Sequence, residues 1–203
     1  MTLLSSTRKL AGRLLNGQRT NLHDARGGRI LLVIECLLNQ NARDQGAAVC
    51  PAMSRPLVEL CLQHGVGLLQ LPCPEIHALG WSRQRPAGQS IRDALDTPSG
   101  RDSCHELARQ TAQRVLHYTD AGFQVVGVIG GNVQSPGCAV HHAIADDPLS
   151  TLSAGSGLLM IALQREFGHQ GLTVPILALR DANKENMATD LQRLQLLLLD
   201  PLS

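Results

Sequence analysis

The chain has 203 residues, 43% of them hydrophobic, enough for one domain with a substantial core. With 18 Lys and Arg against 17 Asp and Glu its formal charge is +1, and only 2% of its residues are aromatic. This balance excludes a broad basic footprint for duplex nucleic acid and leaves few rings for stacking single-stranded bases, so the expected partner is a small molecule.

Residues 1–28 carry Arg8, Lys9, Arg13, Arg19 and Arg26 beside a weak apolar stripe of Leu10, Leu14 and Leu15, and end in Gly27-Gly28. They read as a basic N-terminal extension, with residues 29–203 as a single α/β domain. "RILLVIE" (29–35) is a nearly continuous apolar strand. "SRPLVELCLQHG" (54–65) follows as a helix with Ser54 at its N-cap, proline in its first turn and Gly65 as terminator. "VGLLQL" (66–71) is a second strand. After a long loop, "DSCHELARQTAQRVLHYTDAG" (102–122) predicts a helix ended by Gly122, and "FQVVGVI" (123–129) a third strand. "SGLLMIALQREFG" (156–168) is a helix, "TVPILAL" (173–179) a fourth strand and "NMATDLQRLQLLLL" (186–199) a last helix.

Short, two-sided apolar strands separated by helices predict a Rossmann-like layered α/β fold, with a mainly parallel sheet of about four strands and flanking helices. Pro175 places the fourth strand at an edge. "GVIGGN" lacks the G-x-G-x-x-G spacing of a dinucleotide fingerprint and follows the third strand instead of the first. The last helix is more apolar than one buried face requires; burial in the monomer is the first expectation and a homodimer contact the second. The longest early apolar run, "ILLVIECLL", is too short to cross a bilayer and carries no cleavage pattern, so the expected setting is soluble and cytoplasmic. There, six cysteines point to metal, catalysis or plain core instead of disulfides.

In an open α/β sheet ligands bind outside the carboxyl ends of the strands, and three cysteines fall there. Cys36 follows the first strand, Cys73 lies two residues past the second between Pro72 and Pro74, and Cys138 sits in "GGNVQSPGC" after the third. The prolines stiffen the backbone around Cys73. Cys61 and Cys104 lie on apolar helical stripes and read as core; Cys50, before a proline, has no strand end to place it. Three converging thiols suit a catalytic zinc with three protein ligands, or a [4Fe–4S] cluster that leaves one iron open as a Lewis acid. Asn39, Asn41 and Arg43 follow the first of these cysteines and can reach the site as substrate-binding donors. Arg83 and Arg85 can engage an anionic or carbonyl group. His141 and His142 read as ordinary polar residues instead of ligands.

"CLLNQNARDQG" (36–46), "GLLQLPCPE" (67–75), "LGWSRQRP" (79–86), "LDTPSGR" (95–101) and "VIGGNVQSPGCAV" (128–140) resemble the 2-thiouracil desulfidase family, in order and at compatible spacing over about residues 29–180. They look closest to its branch of uncharacterised relatives. The resemblance implies an α/β fold with an oxygen-sensitive [4Fe–4S] cluster on Cys36, Cys73 and Cys138. It also implies a non-redox reaction that replaces a thiocarbonyl sulfur of a thiolated nucleobase or similar heterocycle with oxygen and releases sulfide. Glu75 matches the family's acidic position and Ser135 its serine beside the third ligand, which makes them the expected catalytic residues. The family commonly reads Ser-Pro-Ser-Cys-Gly where this chain has Gly137 and Ala139 around Cys138, and Arg-Tyr-Asp-Gly where it has "NARDQG". Two other roles are compatible with the same three thiols: a cluster-carrying sulfur-transfer partner that docks through the basic extension, and a three-cysteine zinc hydrolase.

Overall fold

The computed structural model describes residues 24–199. Most of the basic extension, with Arg8, Lys9, Arg13, Arg19 and the stripe of Leu10, Leu14 and Leu15, lies outside the described residues. The tail joins the sheet at Gly28, whose carbonyl accepts the Gln124 N–H at 2.9 Å.

Four strands, β1 (Arg29–Ile34), β2 (Val66–Leu71), β3 (Gln124–Gly130) and β4 (Ile176–Ala178), form one sheet in the order β2-β1-β3-β4. Every pairing is parallel. Around them run α1 (Glu35–Leu38), α2 (Arg55–Gln63), α3 (Pro74–Leu79), α4 (Ile91–Leu95), α5 (Pro98–Asp120), α6 (Leu158–His169) and α7 (Lys184–Leu199). The result is the expected Rossmann-like layered α/β fold.

β1 is central, and Leu31, Leu32 and Val33 are wholly buried in it, which is why its sequence is apolar on both faces. Helices α5 and α6 pack together on one side, and α2 meets α7 on the other. β4 lies at the edge as Pro175 predicts, but it is shorter than the 173–179 run. Proline has no N–H for a ladder, so pairing begins at Ile176, while the Pro175 carbonyl accepts the Val128 N–H at 2.8 Å. α7 buries Leu194, Leu197 and Leu198 and leaves Leu196 and Leu199 exposed. Among the described residues no helix is long and apolar enough to cross a membrane.

Three helices, α1, α3 and α4, escape the sequence pattern and one starts early. Pro74 is the first residue of α3 and Glu75 lies in its first turn; Gly80, at φ +74°, ends it. Ser90 caps α4 by accepting the Asp93 N–H at 3.0 Å. α5 starts at Pro98, four residues before the apolar stripe, because Thr97 caps it through the Gly100 N–H. Gly100 is needed there: a Cβ would lie 2.2 Å from the Leu95 carbonyl oxygen.

Candidate functional site

The strand order reverses between β1 and β3, and the loops leaving the carboxyl ends of β1, β2 and β3 carry the three cysteines. Such a switch point is where this fold class binds ligands. Cys36 lies in α1 directly after β1. Cys73 occupies the N-cap of α3 in extended backbone, so its two prolines hold a strand-to-helix junction instead of a free loop. Cys138 is almost fully buried in the turn after β3.

The β3 turn is folded by small residues. The Gly131 N–H donates to the Cys138 carbonyl at 2.7 Å, and a Cβ on Gly130 would lie 2.4 Å from Val140. The Ser135 hydroxyl oxygen accepts the Cys138 N–H at 3.2 Å, which pins the thiol's backbone. Gly137 is packed against α3: a Cβ there would sit 2.3 Å from Pro74 Cγ. The proline beside Cys73 thus fills the space that a side chain at 137 needs, a physical reason for glycine where the resembling family has serine.

Electrostatics show that these groups share one environment. Burial pushes the Cys36 thiol up to about 11, against the opposing charge of Arg43, with Cys73, Asp181 and Glu75 adding to the rise. Burial also raises Cys73, although the N–H groups of Ile76 and Glu75 and the Arg83 charge favour its thiolate. Cys138 lies well above the ordinary thiol range, through burial first and then through Cys73, Cys36, Glu75 and Cys104. Glu75 is raised by burial, while Arg83 and the Gly137 N–H hold it down. A raised carboxyl beside mutually repelling thiols is the pattern expected where charge is to be handled.

Two arginines flank this cluster. Arg83, 2% exposed, adopts φ +46°, a left-handed conformation that costs a non-glycine residue of order 1–3 kcal/mol and so must be held by its contacts. It donates to the carbonyls of Trp81 at 2.8 Å and Ala42 at 2.5 Å, and its Nε stands 3.5 Å from Glu75 Oε2. Arg43 donates from Nη2 to both oxygens of buried Asp181, at 2.7 and 2.6 Å. Asp181, just past β4, also accepts from Asn132 at 3.0 Å and Gln40 at 3.3 Å, so it joins the loops after β1, β3 and β4. Asp181, Gln40, Asn132 and Glu35 do not figure in the sequence reading. The only sequence signal for Asp181 and Glu35 is an acidic residue close behind an apolar strand.

The other expected site residues are placed as follows. Asn39 caps the short 3₁₀ turn Gln40–Ala42, its Oδ1 accepting the backbone N–H of Asn41 at 3.2 Å and Asn41 Nδ2 at 2.9 Å. Arg85 is exposed and turns away, to the Gln89 and Arg83 carbonyls. His141 lies 2.9 Å from the Val133 carbonyl and His142 2.8 Å from that of Ile176, so both rings are engaged by backbone. The Cys50 thiol donates to the Met53 carbonyl at 3.3 Å. Cys61 and Cys104 are core residues, although Cys104 lies near enough to act on Cys138. A separate cavity of about 780 Å³ lies along β4 and α7, lined by Val133, Leu177, Arg180 and Leu196 among others.

All six cysteines are free. Among the described residues no set of three or more His, Cys, Asp and Glu side chains is arranged to hold a single metal ion. A [4Fe–4S] cubane makes a different demand, since each thiolate binds a different iron and the sulfurs need not meet at a point. Three soft thiols from three loops, raised by burial and by one another, suit that donor set. So do the two flanking guanidinium groups, of which Arg43 has a buried Nε that lacks a hydrogen-bond partner.

No protein-family model matches the chain, and no solved structure matches it. An uncharacterised protein of the archaeon Methanocaldococcus jannaschii is 29% identical over 101 residues, which cover 50% of this chain and 62% of the relative. The chain thus spans less than two thirds of that relative's length, and the match carries no activity with it.

Proposed function

We propose that the protein is an iron–sulfur-dependent, non-redox desulfidase of the 2-thiouracil desulfidase type, which converts the C=S group of a thiolated nucleobase or related heterocycle to C=O and releases sulfide. One observation supports this most: Cys36, Cys73 and Cys138 follow the carboxyl ends of three neighbouring parallel strands, and the Cys73 N–H is bound to the carboxylate of Glu35, the residue before Cys36, at 2.8 Å. Cys36, Cys73 and Cys138 would hold a [4Fe–4S] cluster, which would supply Lewis-acid chemistry toward the thiocarbonyl sulfur.

The chain's own residues carry the rest. Water adds to the thiocarbonyl carbon and Glu75 takes its proton, a task suited to a carboxylate whose affinity for protons burial has raised. Arg83 keeps that carboxylate oriented through Nε. The Ser135 hydroxyl accepts from Cys138 and retains its own hydrogen for donation to the substrate. The reaction balances without electrons: the heterocyclic thione and water give the oxo compound and hydrogen sulfide. Asn39, Asn41, Arg43 and Arg83 are assigned to the substrate, Arg43 and Arg83 through the charge they add. A cytoplasmic setting, where thiols stay reduced, belongs to this reading.

The test is sulfide release from 2-thiouracil by anaerobically purified protein, followed over many turnovers. Sustained release that ends in Glu75→Gln, with the iron retained, supports the proposal. A single stoichiometric release favours a sulfur carrier, and no release from any thiolated base rejects the activity.

A further inference from the structure

The two buried arginines of the site are arranged as a pair. Arg43 lies beyond β1 with its side chain 8% exposed, Nη2 held by both oxygens of Asp181 and Nη1 by the Ala47 carbonyl, close enough to Cys36 for its charge to favour the thiolate. Arg83 follows α3, is 2% exposed, and brings Nη2 to 4.0 Å from Cys73 Sγ. The same Nη2 binds the carbonyl of Ala42, the residue immediately before Arg43, so Arg83 is tied to Arg43's loop. Arg43 keeps a buried Nε without a hydrogen-bond partner, whereas that of Arg83 faces Glu75 Oε2 at 3.5 Å. Orphaned charged donors are costly in a protein interior and persist where something absent from the free chain satisfies them. Burial, Cys73, Cys36, Glu75 and Cys104 act on Cys138, whose N–H donates to the Ser135 hydroxyl and whose carbonyl accepts the Gly131 N–H.

We propose that Arg43 and Arg83 are positioning residues for two of the three cluster thiolates, Arg43 for Cys36 and Arg83 for Cys73, and that Asp181 fixes Arg43 for this task. The inference rests on the cluster reading above and deepens it. Loading a cluster turns three buried thiols into three thiolates with loss of their protons, and that charge is unfavourable in an apolar surrounding. A guanidinium beside each of two sulfurs offsets it and donates N–H groups to the sulfur. Partners of this kind orient metal ligands and make a cluster easier to reduce.

The experiment compares wild type with Arg43→Gln, Arg83→Gln, Arg43→Lys, Arg83→Lys and Asp181→Asn, all prepared anaerobically. Arg109→Gln, an exposed residue of α5, serves as control. Three quantities are read: the rate of iron loss to a chelator, the cluster's reduction potential, and the thermal midpoint of the apo chain. The glutamine variants are expected to lose iron about 10-fold faster or more and to show a more negative potential. The lysine variants recover part of both, Asp181→Asn loses iron faster as Arg43→Gln does but without a more negative potential, since it also removes a negative charge that acts on Cys36, and Arg109→Gln matches wild type. If a glutamine variant fails to fold, the lysine and Asp181→Asn variants carry the test. Wild type without iron overturns the cluster reading and this inference with it. Wild type with iron, and variants whose release rate and potential are unchanged while only the apo midpoint falls, leaves the reading standing and overturns the inference.

Discussion

The backbone N–H of Cys73 donates to the carboxylate of Glu35 at 2.8 Å, tying the residue after β1 to the N-cap of α3 across 38 positions of sequence. Since Glu35 directly precedes Cys36, this one bond sets the spacing of two candidate ligands. Removing it leaves a half-buried N–H without its acceptor, which costs about 1–3 kcal/mol. Glu35→Ala is therefore expected to lower the denaturation midpoint and loosen iron retention, whereas Glu35→Gln, which keeps an acceptor oxygen, stays close to wild type. Chemical unfolding of the apo chain and iron release of the loaded one check the two halves separately.

The contact between Gly137 and Pro74 makes a steric prediction. A methyl at 137 meets the proline ring at a distance no real Cβ tolerates, so Gly137→Ala shifts α3 or the Cys138 turn and costs about 1–3 kcal/mol. Adding Pro74→Ala removes the obstacle. A double-mutant cycle by urea unfolding is expected to show a favourable coupling between the two changes, and strict additivity contradicts the contact.

Cysteine substitutions separate ligands from core. Cys36→Ala, Cys73→Ala and Cys138→Ala are each expected to abolish the brown iron–sulfur absorption. Cys61→Ala, in the core on α2, keeps it while losing about 1 kcal/mol of stability. Visible absorption and iron content after anaerobic purification read the difference; full iron in Cys138→Ala contradicts the ligand set.

A control for stability without function lies on α7. Asp190 is buried and accepts from the Arg180 guanidinium at 2.8 and 2.6 Å, far along the chain from the cysteines. Asp190→Ala strands that arginine and costs about 3 kcal/mol, yet iron content of the folded fraction should not change.

The four strands were legible because each is a short, mostly apolar run between turn residues, and the placing of Cys36, Cys73 and Cys138 at strand ends followed from that alone. α3 was hidden because Pro-Cys-Pro reads as a rigid loop, although proline at a helix's first position followed by glutamate is also a start signal. α4 was hidden by its single turn and a half. Arg43 and Arg83 were visible as polar loop residues, but nothing local distinguishes a substrate contact from a buried guanidinium. Their state is decided by Asp181, 138 positions away from Arg43, and by Ala42, 41 positions from Arg83. Long-range pairs of this kind leave no periodic trace in a single sequence.

The central claim is that Cys36, Cys73 and Cys138 hold an iron–sulfur cluster. Its most direct measurement is the content of iron, acid-labile sulfide and zinc in wild-type protein purified without oxygen. The expected result is iron and sulfide in equal amounts, about four of each per chain, lost on exposure to air. One zinc per chain, with neither iron nor sulfide, contradicts it.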